Sequence, residues 1–163
     1  MTRLNLIDPK HLTTRHLVAE YKEITQFLHL VKRRVDIKHP MDDLPGQYCL
    51  NNGHCKFFYD KGAYIFNRYT LLKNEMVQRG LSVNVDKYEY NLSRIRAAYS
   101  DRLFNDYTPS IRDYGVVIAR ISQRILEKPI LYPDMGVFFG NTHYYGVTHA
   151  SSPDLTRDTA LIS

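Results

Sequence analysis

Apolar residues in the first third of the chain recur at three- and four-residue steps: Leu17, Tyr21, Ile24, Phe27, Leu28, Val31 and Val35. That period predicts an amphipathic helix over 14–35, with Thr13 or Thr14 as its N-cap. On the same helix His16, Glu20 and Glu23 fall at i, i+4 and i+7, which predicts a second, polar face. Lys32, Arg33 and Arg34 sit in its last turns, where the helix dipole favours cations. Pro40, Pro45-Gly46 and Asn51-Asn52-Gly53 read as a linker. A second helix is predicted over 59–78, with Ile65, Phe66, Tyr69, Leu72, Met76 and Val77 as its core face and Gly80 as its C′ residue. The stretch 81–108 is rich in Tyr and Asn and is expected to be irregular, apart from a short helix over 92–99. A third helix is predicted over 110–128, closed off by Pro129. On it Arg120 and Arg124 stand one turn apart and can face one phosphate track. The expected fold is all-α: a compact single domain of three main helices with long irregular connections, spanning 1–140, followed by a partly flexible extension over 141–163.

Composition narrows the class of function. A chain of 163 residues that is 44% hydrophobic buries one sizeable core. The 22 Lys+Arg against 17 Asp+Glu leave a net charge of +5, which favours an anionic partner such as nucleic acid. Cys49 and Cys55 fit neither a zinc pair nor a disulfide framework and are expected to be reduced thiols of an intracellular protein. None of the seven histidines pairs with acids at a metal-ligand spacing. No apolar run approaches the roughly 18 residues of a membrane span, and Arg3 with the broken start does not resemble a secretion signal.

The first residues carry the candidate chemistry. Met1-Thr2-Arg3-Leu4-Asn5-Leu6 is followed by His16 and by Ala19-Glu20-Tyr21-Lys22-Glu23. A small residue after the initiator methionine normally permits its removal, leaving Thr2 with the free α-amino group. Such an amine has an ordinary pKa of about 7.7 to 8.0, against about 10.4 for lysine, so a useful fraction is neutral near pH 7. Arg3 and Lys22, if close, lower it further. Neutral amines attack electrophilic carbons and form imines, and a fixed carboxylate such as Glu23 stabilises positive charge and shuttles a proton.

Those residues, with Gly53-His54, Phe57-Phe58-Tyr59-Asp60-Lys61, Arg79-Gly80, Tyr107 with Pro109, and Ala119-Arg120 with Pro129, resemble the phage-type pyrimidine-dimer DNA glycosylases with abasic-site lyase activity, over roughly residues 1 to 136. The resemblance implies an intracellular enzyme, with a virus-encoded origin left open, that kinks damaged duplex DNA, displaces a nucleotide and attacks C1′ with the Thr2 amine. Imine formation then allows β-elimination, without a metal or an organic cofactor, and a monomer is the default.

Thr2 and Glu23 are the expected catalytic pair. Arg3, His16, Lys22, Gln26, Arg120 and Arg124 are the expected DNA contacts, most of them on phosphates, where contacts bring affinity without sequence choice. Lys22 and Gln26 stand where the family usually has arginine. The chain has no tryptophan, whereas the family carries a tryptophan-containing aromatic cluster after the proline matched by Pro129; Tyr132 retains part of it. His54 is expected to be structural, since it precedes an aromatic run that should pack. Two alternatives stay open: the same chemistry on another damaged or modified base, and a DNA-binding module that has lost catalysis.

Overall fold

The computed structural model describes residues 4–36, 43–128 and 131, excepting the side chains at 35, 36 and 52. Among the described residues five helices follow one another: α1 (Thr14–Asp36), α2 (Asn52–Phe57), α3 (Gly62–Gln78), α4 (Val85–Ala98) and α5 (Ile111–Glu127), with 3-10 turns at Pro9–His11 and Asp101–Leu103. The fold is all-α, and among the described residues the only β-type pairing is an antiparallel bridge between Lys61 and Phe104. No helix among them is long and apolar enough to cross a membrane.

Local chemistry sets the helix ends. Thr13 caps α1: its hydroxyl accepts from the His16 N–H at 3.3 Å and its carbonyl from the Leu17 N–H at 2.9 Å. Ser110 and Asp113 form a reciprocal capping box at the start of α5. At the end of α3, Gly80 adopts φ +70°, its N–H bonds to the Val77 carbonyl, and the Leu81 N–H reaches back to the Met76 carbonyl. This is the Schellman geometry that a glycine at C′ allows without a Cβ penalty.

α1 packs on both α3 and α4, and α3 packs on α4. The predicted stripe of α1 is the buried one, with Leu17, Ile24, Phe27, Leu28 and Val31 in the core. α3 contributes Ile65, Tyr69, Leu72 and Met76, while Val77, expected in the core, is 53% exposed. A column of stacked rings links the three helices: Tyr21 lies 4.8 Å from Tyr69, and Tyr69 lies 5.4 Å from Tyr88. α5 buries Val117, Ile121 and Ile125.

Three expectations about elements are corrected. The second helix begins at Gly62 rather than near residue 59, because the chain turns between two helices at Phe58–Asp60, and the supposed linker residues 52–53 belong to α2. The approach at Gly62 is close, since a Cβ there would stand 2.6 Å from Tyr99 Cγ and 2.7 Å from Phe104 Cδ2. The region 81–108 is not mostly irregular, for α4 spans 14 residues. Its inward face is Tyr88, Asn91 and Ile95, and two of those three are polar enough to blur the apolar period. They are satisfied in the packed helices: Asn91 Nδ2 donates to the Tyr69 hydroxyl at 3.1 Å, and the Tyr88 hydroxyl pairs with Thr70 Oγ1 at 3.0 Å. The polar face of α1 turns inward at His16 and Glu20, both of which are buried. The reason is the segment that precedes α1.

Candidate active site

Residues 4–7 form no helix or strand and are held against α1 and α3 by side chains of both helices. Glu20, 0% exposed, takes four hydrogen bonds: from the Asn5 backbone N–H at 2.8 Å, Asn5 Nδ2 at 3.0 Å, and Arg68 Nε and Nη2 at 2.9 and 2.8 Å. Arg68, 3% exposed, also donates through Nη1 to the Ile7 carbonyl. Tyr64 and Tyr48 donate from their hydroxyls to the Asn5 and Leu4 carbonyls at 2.9 and 3.4 Å. A buried carboxylate and guanidinium are tolerable only when their hydrogen-bonding capacity is filled, and here the backbone of the entering segment helps fill it. About three turns beyond Arg68, at the C-cap of α3, Arg79 donates to the carbonyls of Leu12, Pro9 and Lys10 at 2.8, 3.1 and 3.1 Å. The start of the chain is thereby tied to the helix that also carries Glu23.

Beside this anchor lies a cavity of about 50 Å3 between the segment at Leu4-Asn5, α1, the turn before α2, and α5. Its polar lining is Asn5, His16, Asn51, His54, Arg120 and Arg124, and its apolar wall includes Tyr48, Val117 and Ile121. Arg120 and Arg124 come from successive turns of α5 and therefore share a face. His16 is oriented by Thr13, whose Oγ1 lies 2.9 Å from His16 Nδ1. Asn51, at the start of α2, has φ 61° and ψ −133°, a conformation that costs an L-residue energy and that tends to persist at functional sites. His54 is 6% exposed, lies edge-on to Tyr48 and Phe58 at 5.5 and 5.6 Å, and has Nδ1 3.3 Å from the Cys49 carbonyl. Burial pushes its pKa down, only partly opposed by that backbone hydrogen bond.

Of the residues singled out from sequence, His16, Arg120 and Arg124 are brought together at this cavity. Glu23 lies two turns beyond His16 along the same face of α1, half-buried, with Oε2 withdrawn from solvent, and does not line the cavity. Lys22 and Gln26 are exposed on α1, one turn from each other, and do not line it either. Thr2 and Arg3 lie outside the described residues, as do Pro129 and Tyr132. Sequence reasoning gave Asn5 and Arg68 no part in the site, placed Glu20 only on a polar helix face, and read His54 as structural. A signal for two of them was present. Glu20 falls on the Leu17–Ile24 stripe of α1, and Arg68 falls on the Ile65–Tyr69–Leu72 stripe of α3. Opposite charges on the inward stripes of two helices mark a buried ion pair.

The arginine pair predicts a specific salt response. Replacing Arg120 or Arg124 by Ala should weaken binding to duplex DNA of any sequence and lower the slope of log affinity against log salt by about one unit each. A salt titration by fluorescence anisotropy checks this, and an unchanged slope in both variants would reject the expected phosphate contacts of Arg120 and Arg124.

Residues 1–89, more than half of the chain, match a family model described as pyrimidine dimer DNA glycosylase.

Proposed function

The chain belongs to the pyrimidine dimer DNA glycosylase family, and from that membership we propose that it excises pyrimidine dimers from duplex DNA through an imine formed by the α-amino group of Thr2, then cleaves the strand by β-elimination. The observation that carries the reading is the anchoring of Asn5 on Glu20, one helical turn before Glu23. Three residues span at most about 11 Å, and Glu20 to Glu23 is about 4.5 Å along the helix axis. On so short a tether an amine at Thr2 has that carboxylate within its reach.

In the first step the neutral Thr2 amine attacks C1′ of the damaged nucleotide and the C1′–N glycosidic bond breaks. Positive charge develops on the sugar, and the Glu23 carboxylate stabilises it. Ring opening gives the imine, which acidifies the C2′ hydrogens. Glu23 takes one of them as the 3′ phosphate leaves. Arg3, Lys22, Arg120 and Arg124 hold the strand by its phosphates, with His16 and Gln26 contacting the same DNA, and extrusion of the nucleotide is cheaper at a lesion, where stacking is already weakened.

The test is incision of a duplex carrying one cis-syn thymine dimer, run beside an abasic-site duplex, with borohydride in parallel samples. Cleavage of both substrates with trapped adducts is expected, and Glu23→Gln should lower the rate on the dimer by about 10²-fold or more while leaving binding intact. The lack of tryptophan favours one second reading, the same amine chemistry on another damaged base; cleavage at the abasic site alone would select it. No adduct on either substrate would reject amine catalysis and leave a DNA-binding module.

A further inference from the structure

His54 is held in a way that packing alone does not require. A carbonyl oxygen accepts and cannot donate, so the 3.3 Å approach of Nδ1 to the Cys49 carbonyl places the ring proton on Nδ1. In the neutral ring Nε2 then carries a lone pair. That atom is buried and has no hydrogen-bond partner among the described residues, and the residue lines the cavity shared with Asn5, His16, Arg120 and Arg124. A buried acceptor left without a donor is destabilising, and such groups call for a ligand, a water or a catalytic role. The cavity, at about 50 Å3, is too small for a nucleobase but exceeds the roughly 10–15 Å3 that one water needs. Asn51 and Arg120 line the same cavity and add the further polar groups such a water requires. Asn5 stands three residues from Thr2, so the water site borders the tether of the proposed nucleophile.

We propose that His54 Nε2 binds and deprotonates the water that hydrolyses the enzyme–DNA imine, making His54 a catalytic residue of the release step. The proposal rests on the imine reading above. On the protonated imine, whose nitrogen already carries one hydrogen, the water oxygen bonds to C1′, one of its protons passes to His54 Nε2, and the C=N π pair moves onto the Thr2 nitrogen and neutralises it, giving a carbinolamine. The His54 imidazolium returns the proton to that nitrogen, the C1′–N bond breaks, and the oxygen sheds its remaining proton to solvent as the aldehyde forms. Thr2 is regenerated as a free amine. The lowered pKa of the buried ring keeps it unprotonated and ready for the first transfer. Its edge-on contacts with Tyr48 and Phe58 fix the ring plane, so the lone pair keeps one direction.

Two variants separate this role from packing. His54→Asn keeps an amide donor where Nδ1 meets the Cys49 carbonyl but has nothing at Nε2. His54→Gln puts an amide where Nε2 stands, able to hold a water but not to take its proton. With enzyme in excess over an abasic-site duplex, borohydride added at timed delays measures both the rise of the trappable adduct and its decay. Both variants should form the adduct within about twofold of the wild-type rate and lose it about 10²-fold more slowly. Decay at the wild-type rate in either folded variant would overturn the proposal, as would formation and decay slowed in parallel, which marks a structural role. If the wild type forms no adduct at all, the imine reading fails first and this proposal falls with it; a wild-type adduct that decays normally in the variants overturns the His54 role alone.

Discussion

Chains that keep Met1, or that carry one alanine inserted between Met1 and Thr2 and lose only Met1, should trap abasic DNA with borohydride at least about 10²-fold more slowly than chains beginning at Thr2. Each altered form still ends in a primary amine of ordinary pKa, so the chemistry of the nucleophile is kept and only its position changes. The anchor gives that change its force. The Asn5 N–H and side chain are both bound to Glu20, the Tyr64 hydroxyl holds the Asn5 carbonyl, and the Tyr48 hydroxyl holds the Leu4 carbonyl. The extra residue cannot be absorbed by sliding this segment, because a one-residue shift would strip four hydrogen bonds and expose the buried Leu4 and Leu6. The amine is instead displaced by up to about 3.5 Å, and misplacement by even 1 Å costs about 10²-fold in an oriented reaction. Intact mass separates the forms, and single-turnover trapping compares them. Equal rates would mean that the nucleophile is not positioned by this anchor.

Glu20→Ala should destabilise the fold by about 3–5 kcal/mol, because it leaves the Arg68 guanidinium, 3% exposed, as an uncompensated buried charge. At about 2–4 °C per kcal/mol for a chain of this size, the melting temperature should fall by roughly 6–20 °C. The pair is not an isolated salt bridge. Replacing a buried pair by two apolar residues of similar volume is often neutral elsewhere, but Glu20→Met with Arg68→Met should not recover stability here. The Asn5 N–H and amide would lose their acceptor and the Ile7 carbonyl its donor, each costing about 1–3 kcal/mol when buried. Circular-dichroism melts of the wild type, the single variant and the double variant decide this. A double variant as stable as the wild type would show that the polar cluster contributes nothing beyond its volume.

How much of this was readable beforehand depended on where the signal lay. Long helices with an unbroken apolar stripe, α1 and α5, could be located to within about a residue at each end, since the 3.6-residue period and the capping residues agree. α4 was underestimated because Tyr88 and Asn91, two of its three inward residues, are polar residues satisfied by Thr70 and Tyr69. α2 was missed for a related reason: six residues with His54 as a core member show no period long enough to read. Among site residues, the meeting of His16 with Arg120 and Arg124 needed a contact between the first helix and the last that no spacing within one segment specifies.

Composition and local pattern were enough to establish an all-helical chain, its principal stripes and the family to which it belongs, because helix periods, caps and the order of short motifs are properties of neighbouring residues. Packing alone settled which polar residues would be buried. Glu20 and Arg68, 48 positions apart, become partners only when α1 lies against α3 and the segment at Asn5 supplies the remaining donors. His54 acquires a lone pair directed into a cavity only because the Cys49 carbonyl occupies its other nitrogen. A charge or a ring nitrogen has no fixed role until the protein replaces the water around it, and that replacement is a property of the assembled fold.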